Sequence, residues 1–512
     1  MEKKRMMTAL LAVTMCLGGV TFTGCKSEEK EKESKDESVT LRWVMMGPGK
    51  QKDTELVQAE FNKKLQEYMP GTKLEMEVIN GSDYAQKWEL MMASNEDIDI
   101  AWSGYSIDFG MQVQQGSYMK LDDLIDKYGQ DMKNELPSWL FDLGKYGDNT
   151  YCVPNYQMMA TYPRGVRMKK EYVQKYVDKQ TVMDKYKAWS AGTEKEGRDF
   201  YAYWEQCFEQ MRKDGVLGKG IGIGTFGQFD KKPTYDATTV KGFSIDTDTM
   251  TVFADVKGES RKLWYEVAAD WYKKGYIPAD ALSIDNLPID EYENGYCCWQ
   301  QQYFDRAAET ESKQKGVEID IIPVGDKYII KNSIPATSTV IPRTCKNPEK
   351  AMQLINLLNS KKGRDLYNLL VWGIEGKHYT KISENRIQTP YERESASSDD
   401  DYGLTNWATG NICNSYEPQV RMEGYSDYLL NIDNHADVSP TLGFKPDTSS
   451  IAMNIAQVQA VTSEYDKALR YGASADYKKT YDEYISKLDL AGAEVIREEL
   501  QKQLDEWLKE NK

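Results

Sequence analysis

"SDYAQKWELMMASNEDIDIAW" spans residues 82–102 and holds a helix pattern followed directly by a strand pattern. Tyr84, Trp88 and Met91 recur at helical spacing, which predicts a helix over 82–94 with Ser82 or Asp83 as its cap. "IDIAW" (98–102) then reads as a short strand. The same alternation runs upstream. "VTLRWVMMG" (39–47) places Val39, Leu41, Trp43 and Met45 on one face of a strand. Asp53 to Tyr68 carries Val57, Phe61, Leu65 and Tyr68 at helical spacing, and "YMPGT" stops it because Pro and Gly interrupt a helix. "KLEMEVI" (73–79) is again a period-two strand. Strands alternating with helices predict a parallel α/β sheet, and such sheets bind ligands at the carboxyl ends of their strands. Those ends fall in "MMGPGK" (45–50), "NGSDY" (80–84) and "WSGYS" (102–106).

Further along, "RKLWYEVAADWYKKG" (261–275) reads as a helix and "VEIDIIPVG" (317–325) as a strand. "NPEKAMQLINLLNS" (347–360) has Asn347 as N-cap, Pro348 at the first helical position, and Met352, Ile355 and Leu358 inward. The tail is helical. Ile451, Ile455, Val458, Thr462, Tyr465 and Leu469 form one stripe; Ile496, Leu500, Leu504 and Trp507 form another.

The start of the chain is of a different kind. Residues 2–5 are charged, an apolar run follows from about Met6 to Leu17, and small residues lead to Gly24 and Cys25. That order predicts a secretory signal peptide, and the run is short for a membrane span. Thr23-Gly24-Cys25 resembles a bacterial lipobox, although Phe22 stands where that pattern usually has Leu. The resemblance implies that Cys25 is lipidated. Lys26 to Ser38 contains only Lys, Ser and acidic residues. Such a segment cannot bury enough apolar surface to offset chain entropy and is expected to stay disordered. Extended, it reaches roughly 45 Å, which suits a tether.

Composition narrows the function. Lys and Arg number 65 against 81 Asp and Glu, and a net charge of −16 argues against a nucleic-acid partner. Two histidines, His378 and His435, leave little material for a His-based triad or metal site. Cys152, Cys207, Cys297, Cys298, Cys345 and Cys413 form no CxxC pair, so free buried thiols are expected, with one disulfide still open. The 34 Tyr and 12 Trp supply flat apolar faces with polar edges, which suit sugar rings. "GIGTFG" (222–227) fits a dinucleotide-binding pattern but lacks the helix that must follow. "SSDDDYG" (397–403) lacks the spacing and closing Glu of a calcium loop and reads as a solvated acidic loop. No metal or cofactor is expected.

In order along the chain, the 82–102 unit, "GSYMKLDDLIDKY" (116–128), "NTYCVPNY" (149–156), "ENGYCCWQQQYF" (293–304) and "NPEKAMQLINLL" (347–358) resemble the extracellular solute-binding proteins of carbohydrate ABC importers, family 1. "WGIEGKHY" (372–379) and "AGAEVIREELQKQLDEW" (491–507) resemble its LipO-like lipoprotein subgroup, which carries a C-terminal domain of unassigned function. The resemblance implies a two-lobed α/β clamshell of the periplasmic-binding-protein type II class with a helical C-terminal extension. Its expected division is a signal peptide (1–24), a lipidated tether (25–38), an N-terminal lobe (39–157 plus about 336–385) and a C-terminal lobe (about 158–335 plus 386–512). It also implies a monomeric, membrane-anchored extracellular receptor that is not an enzyme. Such a receptor closes on a carbohydrate, an oligosaccharide by preference, and delivers it to an ABC permease.

A sugar needs aromatic platforms for its C–H faces and planar polar groups for its hydroxyls. Aromatics beside such groups at the strand ends and crossings are therefore the ligand candidates: Asp83 with Tyr84; Trp102 with Ser103 and Tyr105; Asn155 with Tyr156; Trp299 with Gln300 and Gln301; Trp372 with Glu375; and Asn406 with Trp407, near Asn411. Each has a structural alternative as core, cap or hinge. A glycoside hydrolase with a carboxylate pair, or a receptor for a peptide or other solute, are the competing functions.

Overall fold

The computed structural model describes residues 38–160, 165–217, 229–232, 235–283, 306–325, 328–332 and 336–511, with the backbone alone at 164 and 298–300. Strand β1 (Val39–Gly47) is buried on both faces along most of its length and anchors the first sheet. It pairs in parallel with β2 (Thr72–Asn80) on one side and β3 (Ile100–Gly104) on the other. Leu41, Trp43 and Met45 face a core shared with Val57, Phe61 and Leu65 of α1 (Thr54–Leu65). Val44 and Met46 face a second core with Tyr84, Trp88 and Met91 of α2 (Tyr84–Ala93). Helices cover both faces, so the strand has no polar side. Each fully buried Phe or Leu in these layers contributes about 1.5–3 kcal/mol relative to exposure.

The predicted cap positions hold. Asp83 and Asn347 occupy N-cap positions, but neither side chain bonds its helix. Pro348 does stand at the start of its helix.

The sheet order is β2-β1-β3-β12-β4, with β4 at Val153–Pro154 and β12 at Thr337–Val340. Four of the five strands run in one direction; β12 alone is reversed, antiparallel to β3 and β4 on either side of it. The purely parallel expectation fails here because β12 comes back from the second lobe instead of following a crossover helix. Between β4 and β12 the chain builds that lobe. Its central strand β5 (Arg164–Lys169) lies between β9 (Cys298–Gln300) and β10 (Ile319–Val324), antiparallel to both. A separate antiparallel sheet joins β6 (Tyr235–Ala237), β7 (Phe243–Asp246) and β8 (Thr251–Ala254). Helices α3 (Glu194–Lys213) and α4 (Glu259–Lys273) pack on one aromatic-rich core, in which Tyr201, Trp204, Trp264 and Trp271 are buried. Strand β11 (Ile329–Ile330) precedes the return to the first lobe.

After β12, α5 (Pro348–Leu358) and α6 (Arg364–Trp372) rejoin the first core. So does α7 (Tyr425–His435), through Tyr425, Leu429 and Ile432. The stretch from Ile387 to Ile432, which the sequence reading places in the second lobe, shares the core of the first-lobe helices and also touches the second lobe, where Met422 N donates to Thr310 Oγ1. The chain passes into the second lobe again through β13 (Asp437–Val438). Helices α8 (Ala452–Arg470), α9 (Tyr477–Leu490) and α10 (Ala493–Glu510) complete the second core, to which Val458, Leu469, Ile496, Leu500 and Leu504 belong. Tyr465 stacks on Tyr484 at 5.4 Å. Gln501 accepts from Val252 N and donates to Met250 O, so α10 finishes the edge of β8.

Cys152, Cys207, Cys345 and Cys413 are free. Burial pushes the Cys152 thiol up to about 12, which makes it unreactive. Cys297 and the Cys298 side chain lie outside the described residues, as does the 222–227 motif. Among the described residues, no helix is long and apolar enough to cross a membrane.

Candidate functional site

Strand direction brings four carboxyl ends to one edge. β1, β2 and β3 end at Gly47, Asn80 and Gly104. β4 ends there too, because it and β3 both run antiparallel to β12, and Pro154 pairs with Ser338 while Gly104 pairs with Thr337. The first crossing leaves from Asn155 and the second arrives at Thr337, so this edge meets the hinge.

Most of the predicted polar and aromatic residues brace the edge from inside. Trp102 is 1% exposed, and its Nε1 donates to Thr337 Oγ1 at 2.6 Å. Asn155 Nδ2 donates to the same hydroxyl at 2.9 Å, and Asn155 Oδ1 accepts from Thr339 Oγ1 at 3.0 Å. Tyr84 OH donates to Trp102 O at 2.7 Å; Tyr118 OH donates to Ser103 Oγ at 2.9 Å. A buried polar group is stable only when paired, and these pairs lock strands that arrive from distant parts of the chain. Trp372 is likewise buried and donates to Ser415 Oγ at 3.0 Å. Glu375 is exposed and lies 3.7 Å from Lys381. It sits on a turn opened by Gly373 at φ 78°, where an added Cβ would meet His378 Nδ1 at 2.4 Å. That imidazole accepts from Ile374 N and contacts Asp53, whose carboxyl is held below its ordinary range by His378 and Lys377.

Two aromatics face outward. Tyr105 is 64% exposed, stands edge-on to Trp102 at 5.5 Å, and lies 6.5 Å from Trp407. Trp407 is half-buried on a short turn (Asn406–Ala408) and backs onto both cores of the first lobe. Exposed Asp83 lies near the same rim, contacted by the Ser82 hydroxyl at 3.0 Å. Asn406 is fully buried, and neither its Oδ1 nor its Nδ2 has a partner among the described residues. Asn411 caps the next turn by accepting from Cys413 N. Trp299 and Gln300 lie on β9 with their side chains outside the described residues, and Gln301 lies outside them entirely. The acidic run at 397–403 serves the fold: Asp400 accepts from Ser397 N and pairs with Arg393, and Asp401 pairs with Lys52. No cluster able to hold a metal ion occurs among the described residues. A cavity of about 790 Å³ opens between α6, α7 and the 383–386 turn, with Tyr156, Asn411, Arg364, Arg386, Glu417 and Asp427 in its wall.

The sequence reading missed Asp433. Its carboxylate accepts from Tyr156 OH at 2.6 Å and Ala160 N at 3.0 Å, clamping the first crossing to α7. Burial raises its pKa to about 6, against the hydrogen bonds that lower it. A carboxyl raised in the folded state adds stability that is complete below the unfolded pKa near 4 and lost as pH rises through about 6. Between pH 4 and 6 the wild-type protein is expected to lose stability relative to Asp433→Asn by up to about 3 kcal/mol. Paired thermal melts across that range measure it; parallel curves would contradict the assignment.

The fold is similar to that of solute-binding proteins. The chain is 26% identical over 524 residues, covering 100% of this chain and 99% of its counterpart, to a carbohydrate ABC transporter substrate-binding protein of Streptococcus pneumoniae serotype 4. The crystal structure of the N-glycan transport solute binding protein of Streptococcus pneumoniae matches with TM-score 0.76 and 25% identity, covering 92% of this chain and 100% of that one. The same protein in complex with Man5GlcNAc matches with TM-score 0.67 and 24% identity, over 92% and 99% of the two chains. Residues 440–509 match a family described as a domain of unknown function (DUF3502). The resemblance to carbohydrate-importer binding proteins therefore runs along the whole chain.

Proposed function

We propose that this protein captures an oligosaccharide between its two lobes, on the rim formed by Tyr105, Trp407 and Asp83, and delivers it to an ABC import permease. The observation that carries the reading is the end-to-end likeness to a carbohydrate substrate-binding protein. The strand-end edge supports it, since it offers two adjacent outward aromatic faces where the crossings meet. Binding of this kind needs no covalent chemistry: stacking and hydrogen bonds to hydroxyls drive it in a partly dried cleft. Mannose–N-acetylglucosamine oligosaccharides lead the candidate ligands, because the structural relative holds Man5GlcNAc. A thermal-shift screen of residues 39–512 against mono- and oligosaccharides, followed by chromatography of each mixture, tests the reading. A raised melting temperature with the sugar recovered intact supports it. Cleaved sugar would replace it with a hydrolase, and a shift given by peptides alone would replace the ligand class.

The same proposal places the protein on the outer membrane face, held by a lipid on Cys25 as a monomer. The Cys25→Ala variant is expected to move from the membrane fraction to the medium, read by immunoblot of both fractions. Full retention of the variant on the membrane would refute the anchor.

A further inference from the structure

We propose that the segment 437–446 is a third hinge strap, and that Asp236, Asn332, Thr441 and Lys445 make the C-terminal domain part of the device that sets lobe opening. The inference rests on the two-lobed capture reading. Ile432 is the last buried member of the first core, Ala436 and Leu442 still pack on it, and Phe444 belongs to the second, so this segment joins the two cores. It lies against the second crossing, with Ser439, Thr441, Phe444 and Lys445 buried and Asp437, Val438 and Pro440 exposed. Its β13 pairs in parallel with β11, Asp437 N donates to Tyr328 O at 3.0 Å, and Ser439 N donates to Ile330 O at 2.9 Å.

The cluster knots strap, crossing and second lobe together. Asn332 is fully buried. Its N donates to Asp236 Oδ2 at 2.9 Å and its Nδ2 to Phe444 O at 2.8 Å. Its Oδ1 accepts from Lys445 Nζ at 2.7 Å and Gly443 N at 3.2 Å. Thr441 Oγ1 donates to Asp236 Oδ2 at 2.9 Å. Toward the first lobe, Gln114 Nε2 donates to Asp447 Oδ1 at 3.1 Å, and Tyr146 OH lies 3.5 Å from Pro446 O. A buried ammonium and carboxylate are costly unless satisfied, and a satisfied network permits one geometry. Burial lowers the Lys445 ammonium to about 8 while Asp236 and Cys152 oppose the shift, in keeping with a charge held in a dry knot. Thr441 and Lys445 open the 440–509 match, so the domain of unassigned function begins inside the hinge.

The alternative is that the tail only completes the second core. Fluorophores attached by non-cysteine chemistry at exposed Leu90 and Leu282, one on each lobe, read the interlobe distance in ligand-free protein. Lys445→Met is expected to shift or widen that distribution and to speed amide exchange at 329–332 and 155–160 by about tenfold, leaving α10 amides unchanged. Thr441→Val, which removes the hydroxyl's bonds to Asp236 and Ser439, gives the same change in smaller degree if Lys445→Met does not fold. Unchanged distances, with faster exchange confined to 441–511, would overturn the proposal. No sugar enters the assay, so failure to find a carbohydrate ligand and failure of the strap are read separately.

Discussion

Replacing Tyr105 and Trp407 together by alanine is expected to weaken oligosaccharide binding roughly a hundredfold. Tyr105 presents most of its ring to solvent, and Trp407 stands beside it with its own ring half-buried. An aromatic contact adds about 0.5–1.5 kcal/mol beyond the area it covers, so two rings with their buried area reach about 2–3 kcal/mol. Tyr105 supports no core, so Tyr105→Ala alone is expected to melt with the parent. Trp407 backs onto two cores, so its removal also costs stability. Calorimetric titration at a temperature well below both melts separates these effects. An unchanged affinity in the double variant would move the ligand off this rim.

Gly104→Val is expected to abolish folding or cost more than about 4 kcal/mol. A Cβ at Gly104 would stand 2.3 Å from the Trp102 ring and 2.4 Å from Ala336 O. Neither can retreat. The Trp102 indole is tied to Thr337 at 2.6 Å and packed edge-on against Tyr84 at 5.0 Å. Ala336 O is backbone that accepts from Tyr105 N at 3.0 Å. Gly81→Ala is the contrast: its nearest neighbours, Met46 Sδ and Tyr105 OH, would be at 3.4 and 3.6 Å, ordinary contact, so a change within about 0.5 kcal/mol is expected. Soluble yield and denaturant melts distinguish the two.

The first-lobe elements were legible because their signal is local. Period-two and helical stripes in 39–102 carry both identity and boundaries to within a few residues. The direction of β12 was not legible, since pairing with β3 is decided by a chain that has first built another lobe. Ring orientation at the strand ends failed to read for the same reason. Whether Trp102 faces in or out depends on Thr337, 235 residues away. The exposure of Tyr105 is easier to read, because a tyrosine just past a strand end needs no distant partner to be exposed. The apolar stripe of α7 resembles that of any amphipathic helix, so nothing local assigned it to the first core. Asp433 and Lys445 carry no motif; burial alone makes them matter.

Small-angle scattering of residues 39–512 with and without a saturating mannose–N-acetylglucosamine oligosaccharide tests the central claim most directly. Capture between two lobes predicts a smaller radius of gyration on binding, reversed when the intact sugar is dialysed away. Binding with no change in radius, or a sugar returned in pieces, would contradict it.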